Sequence, residues 1–144
     1  MPETADQRVI ELLAEAVGPR AEVAAAYLYG SVARGEATTL SDVDIALLFS
    51  EHVGESLRRQ VIVEIASALA HAEVGKRLDV RDIEELPLVV QGRILTEGRL
   101  VRSSDDVRRV RFETAVRMLY FDFLPFHARD VEEGLRSLRR RFGG

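Results

Sequence analysis

An α/β (or α+β) domain with a small sheet flanked by helices is the fold this sequence predicts. Three observations predict it: short apolar runs that end near glycine, amphipathic segments of helical period between them, and a length of 144 residues that suits one domain. The chain is 47% hydrophobic and 31% charged, a globular balance rather than that of a disordered or membrane-embedded chain. It has no cysteine, which removes disulfides, thiolate metal sites and a thiol nucleophile together.

The elements follow in order. Ala5–Val17 carries Val9, Ile10, Leu13, Ala16 and Val17 on one helical face, with Thr4 and Gln7 as a capping box and Gly18-Pro19 as the stop. This acidic, helix-patterned start does not read as a secretory leader, and no apolar run is long enough to cross a bilayer. A cytoplasmic protein is expected. Val23–Tyr29 is an apolar strand ending at Gly30, and Val43–Phe49 is a second one. From about Ser56 to Ala72 a helix spaces Leu57, Val61, Ile65 and Leu69 four apart, until Gly75 breaks it. Arg77–Ile83 reads as a third strand. Leu88–Thr96 suits a short helix after Pro87, and Gly98 leads into a last strand, Arg99–Arg102.

Ser104, Asp105 and Asp106 open a long final helix toward Arg141, because a cap and early acids suit the positive end of the helix dipole. Phe112, Leu119, Phe123 and Phe126 share one stripe of it, while Tyr120 and Phe121 turn aside. Large apolar groups pointing in several directions suit a partner surface better than a self-contained core. The expected organisation is a core over residues 1–103 and a helical extension over 104–144 that packs on the core and binds a partner. Charge divides near the same place: residues 1–98 carry 9 basic and 17 acidic side chains, residues 99–144 carry 11 and 7. The first part is thus a poor nucleic-acid binder, and the second can face an acidic partner.

Chemistry concentrates in Gly30-Ser31-Val32-Ala33-Arg34-Gly35-Glu36-Ala37-Thr38-Thr39-Leu40-Ser41-Asp42-Val43-Asp44. Gly30 and Ser31 end a strand and open a turn whose free N–H groups favour a phosphate. Arg34 is a candidate phosphate contact, against the bland alternative of a solvated loop arginine. Asp42 and Asp44, two apart at the start of a strand, project from one face. Like charges held together beside core residues are costly, and a bound divalent cation relieves the repulsion. Oxygen-only ligands favour Mg²⁺ or Mn²⁺. A third carboxylate is available from Asp79, between Leu78 and Val80, with Asp82 as its rival. An aspartate at a strand start is often only a turn residue, which would account for Asp42 but not for Asp44 inside an apolar strand. His52, His71 and His127 stand alone and read as structural or surface residues. Tyr27 reads as core and Tyr29 as a wall of the nucleotide pocket.

Gly30-Ser31, ten residues, then Asp42-Val43-Asp44 resembles the signature of the polymerase-β-like nucleotidyltransferase superfamily. The short chain, Arg34-Gly35-Glu36 in the spacer and Ser41 before the pair resemble its minimal (MNT) branch. Leu78-Asp79-Val80, the segment from Gly92 to Val101 and the aromatic C-terminal helix resemble the antitoxins of HepT–MntA (type VII) toxin–antitoxin systems. The resemblance implies a small mixed sheet. It implies that Gly30, Ser31 and Arg34 bind ATP, that Asp42 and Asp44 bind nucleotide and Mg²⁺, and that Asp79 shares a metal and helps deprotonate the acceptor. The implied reaction transfers AMP to a tyrosine of a HEPN-type ribonuclease toxin and silences it. The alternatives are a small-molecule, aminoglycoside-type adenylyltransferase, for which the chain leaves little room, and an antitoxin acting by binding only.

Overall fold

The computed structural model describes residues 5–30, 43–72 and 77–122. In chain order these form α1 (Ala5–Val17), β1 (Val23–Tyr29), β2 (Val43–Phe49), α2 (Glu55–His71), β3 (Leu78–Asp82), α3 (Leu88–Glu97), β4 (Arg99–Ser103) and α4 (residues 106–122). The strands make one mixed sheet in the order β3-β2-β1-β4. β1 runs antiparallel to β2 and β4, whereas β2 and β3 are parallel. A parallel pair needs a long crossover, and α2 lies between these two strands in sequence.

Strand periodicity of two sorts the core into two layers. On one face, Ala26 and Leu28 of β1 with Val43, Ile45, Leu47 and Phe49 of β2 pack against Val9, Leu13 and Val17 of α1 and Val61, Ile65 and Leu69 of α2. On the other, Ala25, Tyr27, Ala46 and Leu48 meet Ile94 of α3 and Phe112 and Val116 of α4. Helices on both sides explain why β1 and β2 are nearly unbroken apolar runs. Each fully buried leucine or isoleucine here contributes about 1.5–3 kcal/mol.

The structure corrects several expectations. Leu57 is 41% exposed, and Arg58 covers the first turn of α2 instead, its guanidinium 5.4 Å from the Phe49 ring centre. The aliphatic stem and planar head of an arginine can serve as such a cover. β3 stops at Asp82 because that carboxylate accepts the Glu84 N–H (3.0 Å) and turns Ile83–Glu85 into a 3-10 helix. Ser104 does not cap α4. Its N–H extends the sheet to the Ala24 carbonyl (2.8 Å), and Asp105 Oδ1 accepts the Arg108 N–H (3.1 Å) as the cap. The buried stripe of α4 is Phe112, Val116 and Tyr120, while Leu119 faces solvent. Phe123, Phe126 and the capping residue Thr4 lie outside the described residues.

Polar contacts and ring packing hold α4 down, among them Arg108, which donates to the Phe49 carbonyl (3.1 Å) and to Glu84 (2.7 Å). The Tyr27 hydroxyl donates to Glu113 Oε1 (2.8 Å), and Arg109 and Arg117 donate to Glu113 Oε2 (3.1 and 3.3 Å). Burial, reinforced by Glu113, pushes the Tyr27 phenol far above its usual range, so it remains a donor. The Tyr120 ring lies directly on Gly92, where any Cβ would collide with it. Gly92→Ala should therefore cost about 1–3 kcal/mol in urea unfolding, despite the better helix propensity of alanine. An unchanged or raised stability would show that Tyr120 can move aside freely.

Candidate active site

The site grows from the ends of β1 and β2. Gly30 has φ of +74°, a left-handed conformation that suits glycine, and a Cβ there would collide with Asp44 Oδ2. Two separate constraints thus demand glycine at this turn. Across the sheet, Tyr29 pairs with Asp44 and Asp44 pairs with Asp79. Directly paired residues share a face, so the three side chains form a row across β1, β2 and β3.

Asp82 stands elsewhere. It pairs with Leu47 on the opposite face and is 2% exposed. Its Oδ2 accepts from Arg58 (3.0 Å) and its Oδ1 from the Glu84 N–H, so both oxygens serve the scaffold. Of the two rivals, the register brings Asp79 beside Asp44. Ser31, Arg34 and Asp42 lie outside the described residues.

Charge shapes the row. The half-buried Tyr29 hydroxyl is pushed up to about 12 by burial and by the charges of Asp44 and Asp79, with Arg81 opposing. It is protonated at neutral pH and can only act there as a neutral hydroxyl. Arg81 Nε donates to Asp79 Oδ1 and Oδ2 (3.1 and 3.3 Å). Among the described residues no cluster of three metal-ligating side chains forms; Asp44 and Asp79 supply two carboxylates, the donor type a hard divalent ion takes.

A cleft of about 260 Å³ opens beside Asp44, between the end of β1 and α3. Tyr29 and Gly30 form one side, and Val90, Arg93, Ile94 and Glu97 form the other. Gly98 allows this approach, since a Cβ there would meet the Ile94 carbonyl and lie 2.9 Å from the Leu28 carbonyl. Tyr29 thus lines this cleft. The α3 wall and Arg81 were not singled out by the sequence reading. Arg81 carried a usable signal, because it lies two residues beyond Asp79 and strand period returns it to the same face. A second cleft, of about 210 Å³, lies by the other end of β2, lined by His52, Asp105 and Arg108 among others, away from the carboxylate row.

Three comparisons bear on this arrangement. A family profile described as "Polymerase beta, Nucleotidyltransferase" matches residues 10–107. Sequence comparison with curated proteins finds no match. Among solved structures, a toxin–antitoxin crystallised with AMP-PNP superposes with a TM-score of 0.63 at 20% identity, over 90% of this chain and 98% of that one. The toxin–antitoxin MntA–HepT gives 0.56 at 18% identity, over 91% and 97%. A complex of a tri-AMPylated Shewanella oneidensis HEPN toxin with an MNT antitoxin gives 0.57 at 18%, over 91% and 96%. At these identities the likeness is one of fold. With the family profile spanning the sheet and its carboxylate row, the chain belongs to the polymerase beta nucleotidyltransferase family.

Proposed function

We propose that the chain is the antitoxin nucleotidyltransferase of a two-protein pair, transferring AMP from ATP to a tyrosine hydroxyl of a HEPN-type ribonuclease toxin. The observation that carries the reading is Asp44 in register with Asp79 beside the Gly30 turn, at the mouth of a cleft. Its support is the family, together with a fold shared with toxin–antitoxin complexes, one holding AMP-PNP and one an AMPylated toxin.

In this reading Gly30 and Ser31 bind the triphosphate, with Arg34 as a further phosphate contact. Asp42, Asp44 and Asp79 would hold Mg²⁺, which would supply charge neutralisation of the phosphates and a lower pKa for the attacking hydroxyl. Asp79, on the edge strand, receives the tyrosine proton as the phenolic oxygen attacks the α-phosphorus. The bond from that phosphorus to the bridging oxygen breaks, and pyrophosphate leaves. Transfer of this kind asks the protein mainly for positioning and charge. Residues 1–103 supply that machinery, and 104–144 form the partner-binding extension. Val107, Val110, Met118 and Phe121 lie on the outer side of α4, opposite its buried stripe, and each is at least half exposed. Such an apolar face suits a protein partner. Among the described residues no helix is long and apolar enough to cross a membrane.

The test is to incubate the protein with ATP, Mg²⁺ and the product of the neighbouring gene, then weigh that product intact. Mass gained in steps of AMP is the expected result. A stable complex with no mass gain would favour neutralisation by binding only. Neither complex nor mass gain would favour a small-molecule acceptor.

A further inference from the structure

Arg81 lies on the same face of β3 as Asp79, opposite the uncharged Ala46. Its Nε is nearly equidistant from the two Asp79 oxygens, at 3.1 and 3.3 Å, and so faces the carboxylate from the side a chelated cation would take. Its charge also acts on Asp44 and Tyr29. As a stabilising pair the contact is worth little, because the side chains of Arg81 and Asp79 are 57% and 43% exposed. Its larger effect is on the charge of the row.

We propose that Arg81 is a built-in counter-ion, holding the cation's place at Asp79 and having to release that carboxylate before a divalent cation can bind there. The inference rests on the reading of Asp44 and Asp79 as cation ligands. On an exposed edge strand the guanidinium can swing into water at small cost. A bare cation then competes with an arginine already in place, whereas a cation arriving with a triphosphate brings negative charge that offsets the arginine. Loading as a cation–nucleotide complex is the order this favours.

The experiment is a Mn²⁺ titration of the nucleotide-free full chain, read by the EPR signal of free Mn²⁺. Arg81→Ala and Arg81→Gln should bind Mn²⁺ about five- to tenfold more tightly than the parent chain, the size expected for removing one screened charge beside a ligand. Arg81→Lys, which keeps the charge, should stay close to the parent. Asp79→Asn and Asp44→Asn serve as controls and should weaken binding. If the controls weaken binding while Arg81→Ala and Arg81→Gln equal the parent or bind less tightly, the counter-ion role is overturned and the cation site stands. If the controls change nothing, or no protein binds Mn²⁺ at millimolar concentration, the cation site fails and the counter-ion role fails with it.

Discussion

If the proposed reaction is right, replacing Asp42 and Asp44 together by asparagine is expected to reduce AMP transfer by about a thousandfold or more, since the site would lose the anionic oxygens proposed to organise the phosphates. The fold should survive. Asp44 lies in register with Asp79, so removing its charge relieves repulsion in the row. Arg81 already offsets part of that repulsion, so the gain in stability should be at most about 1 kcal/mol. Intact-mass analysis of the partner reads the first effect and a thermal melt reads the second. A double variant that still transfers AMP at the parent rate would remove the carboxylate pair from the mechanism. One that unfolds would show that the pair is structural.

The second large effect is expected at Glu113→Ala. This glutamate is 7% exposed and gathers the Tyr27 hydroxyl, Arg109 and Arg117 around its two oxygens. Its removal leaves a buried phenol without its acceptor and unties α4 from β1. Deleting one member of a buried hydrogen-bonded cluster costs about 2–4 kcal/mol, and the lower half applies here because Arg117 can turn to water. That corresponds to a fall in melting temperature of roughly 5–10 °C. Tyr27→Phe, which removes only the hydroxyl, should cost about 1 kcal/mol. A Glu113→Ala loss below that of Tyr27→Phe would mean that apolar packing and the Arg108 contacts to Phe49 and Glu84 hold the helix without it.

Local patterns carried much of this protein. α1, β1 and β2 occupy the spans that periodicity and glycine punctuation predict, because each is a strong run whose burial agrees with its own propensity. What escaped depended on partners distant in sequence. Choosing Asp79 over Asp82 requires the β2–β3 register, which no feature within the segment 77–83 reveals. The exposure of Leu57 follows from Arg58 reaching Phe49, and that of Leu119 from Tyr120 settling on Gly92. The α3 wall of the cleft was legible as a helix but not as a wall, since only the folded chain brings Ile94 and Glu97 to the end of β1. The Gly30-Ser31 and Asp42-Val43-Asp44 signature was explicit in sequence, while the positions of Ser31, Arg34 and Asp42 lie outside the described residues.

The grip of Arg58 on Asp82 has a consequence for the opposite side of the sheet. On the row face, β3 reads Asp79 then Arg81, with Arg77 just before the strand, so the sign of charge alternates every second residue. Sliding the strand by two positions in either direction would set an arginine against Asp44. Pairwise attraction on that face alone would even welcome the slip, since it exchanges repulsion for an ion pair. The other face forbids it, because Leu78 and Val80 would leave their places and Asp82 its arginine. The part-buried Arg58–Asp82 ion pair thus works as an alignment pin: what keeps two like charges side by side is enforced from the far side of the same strand.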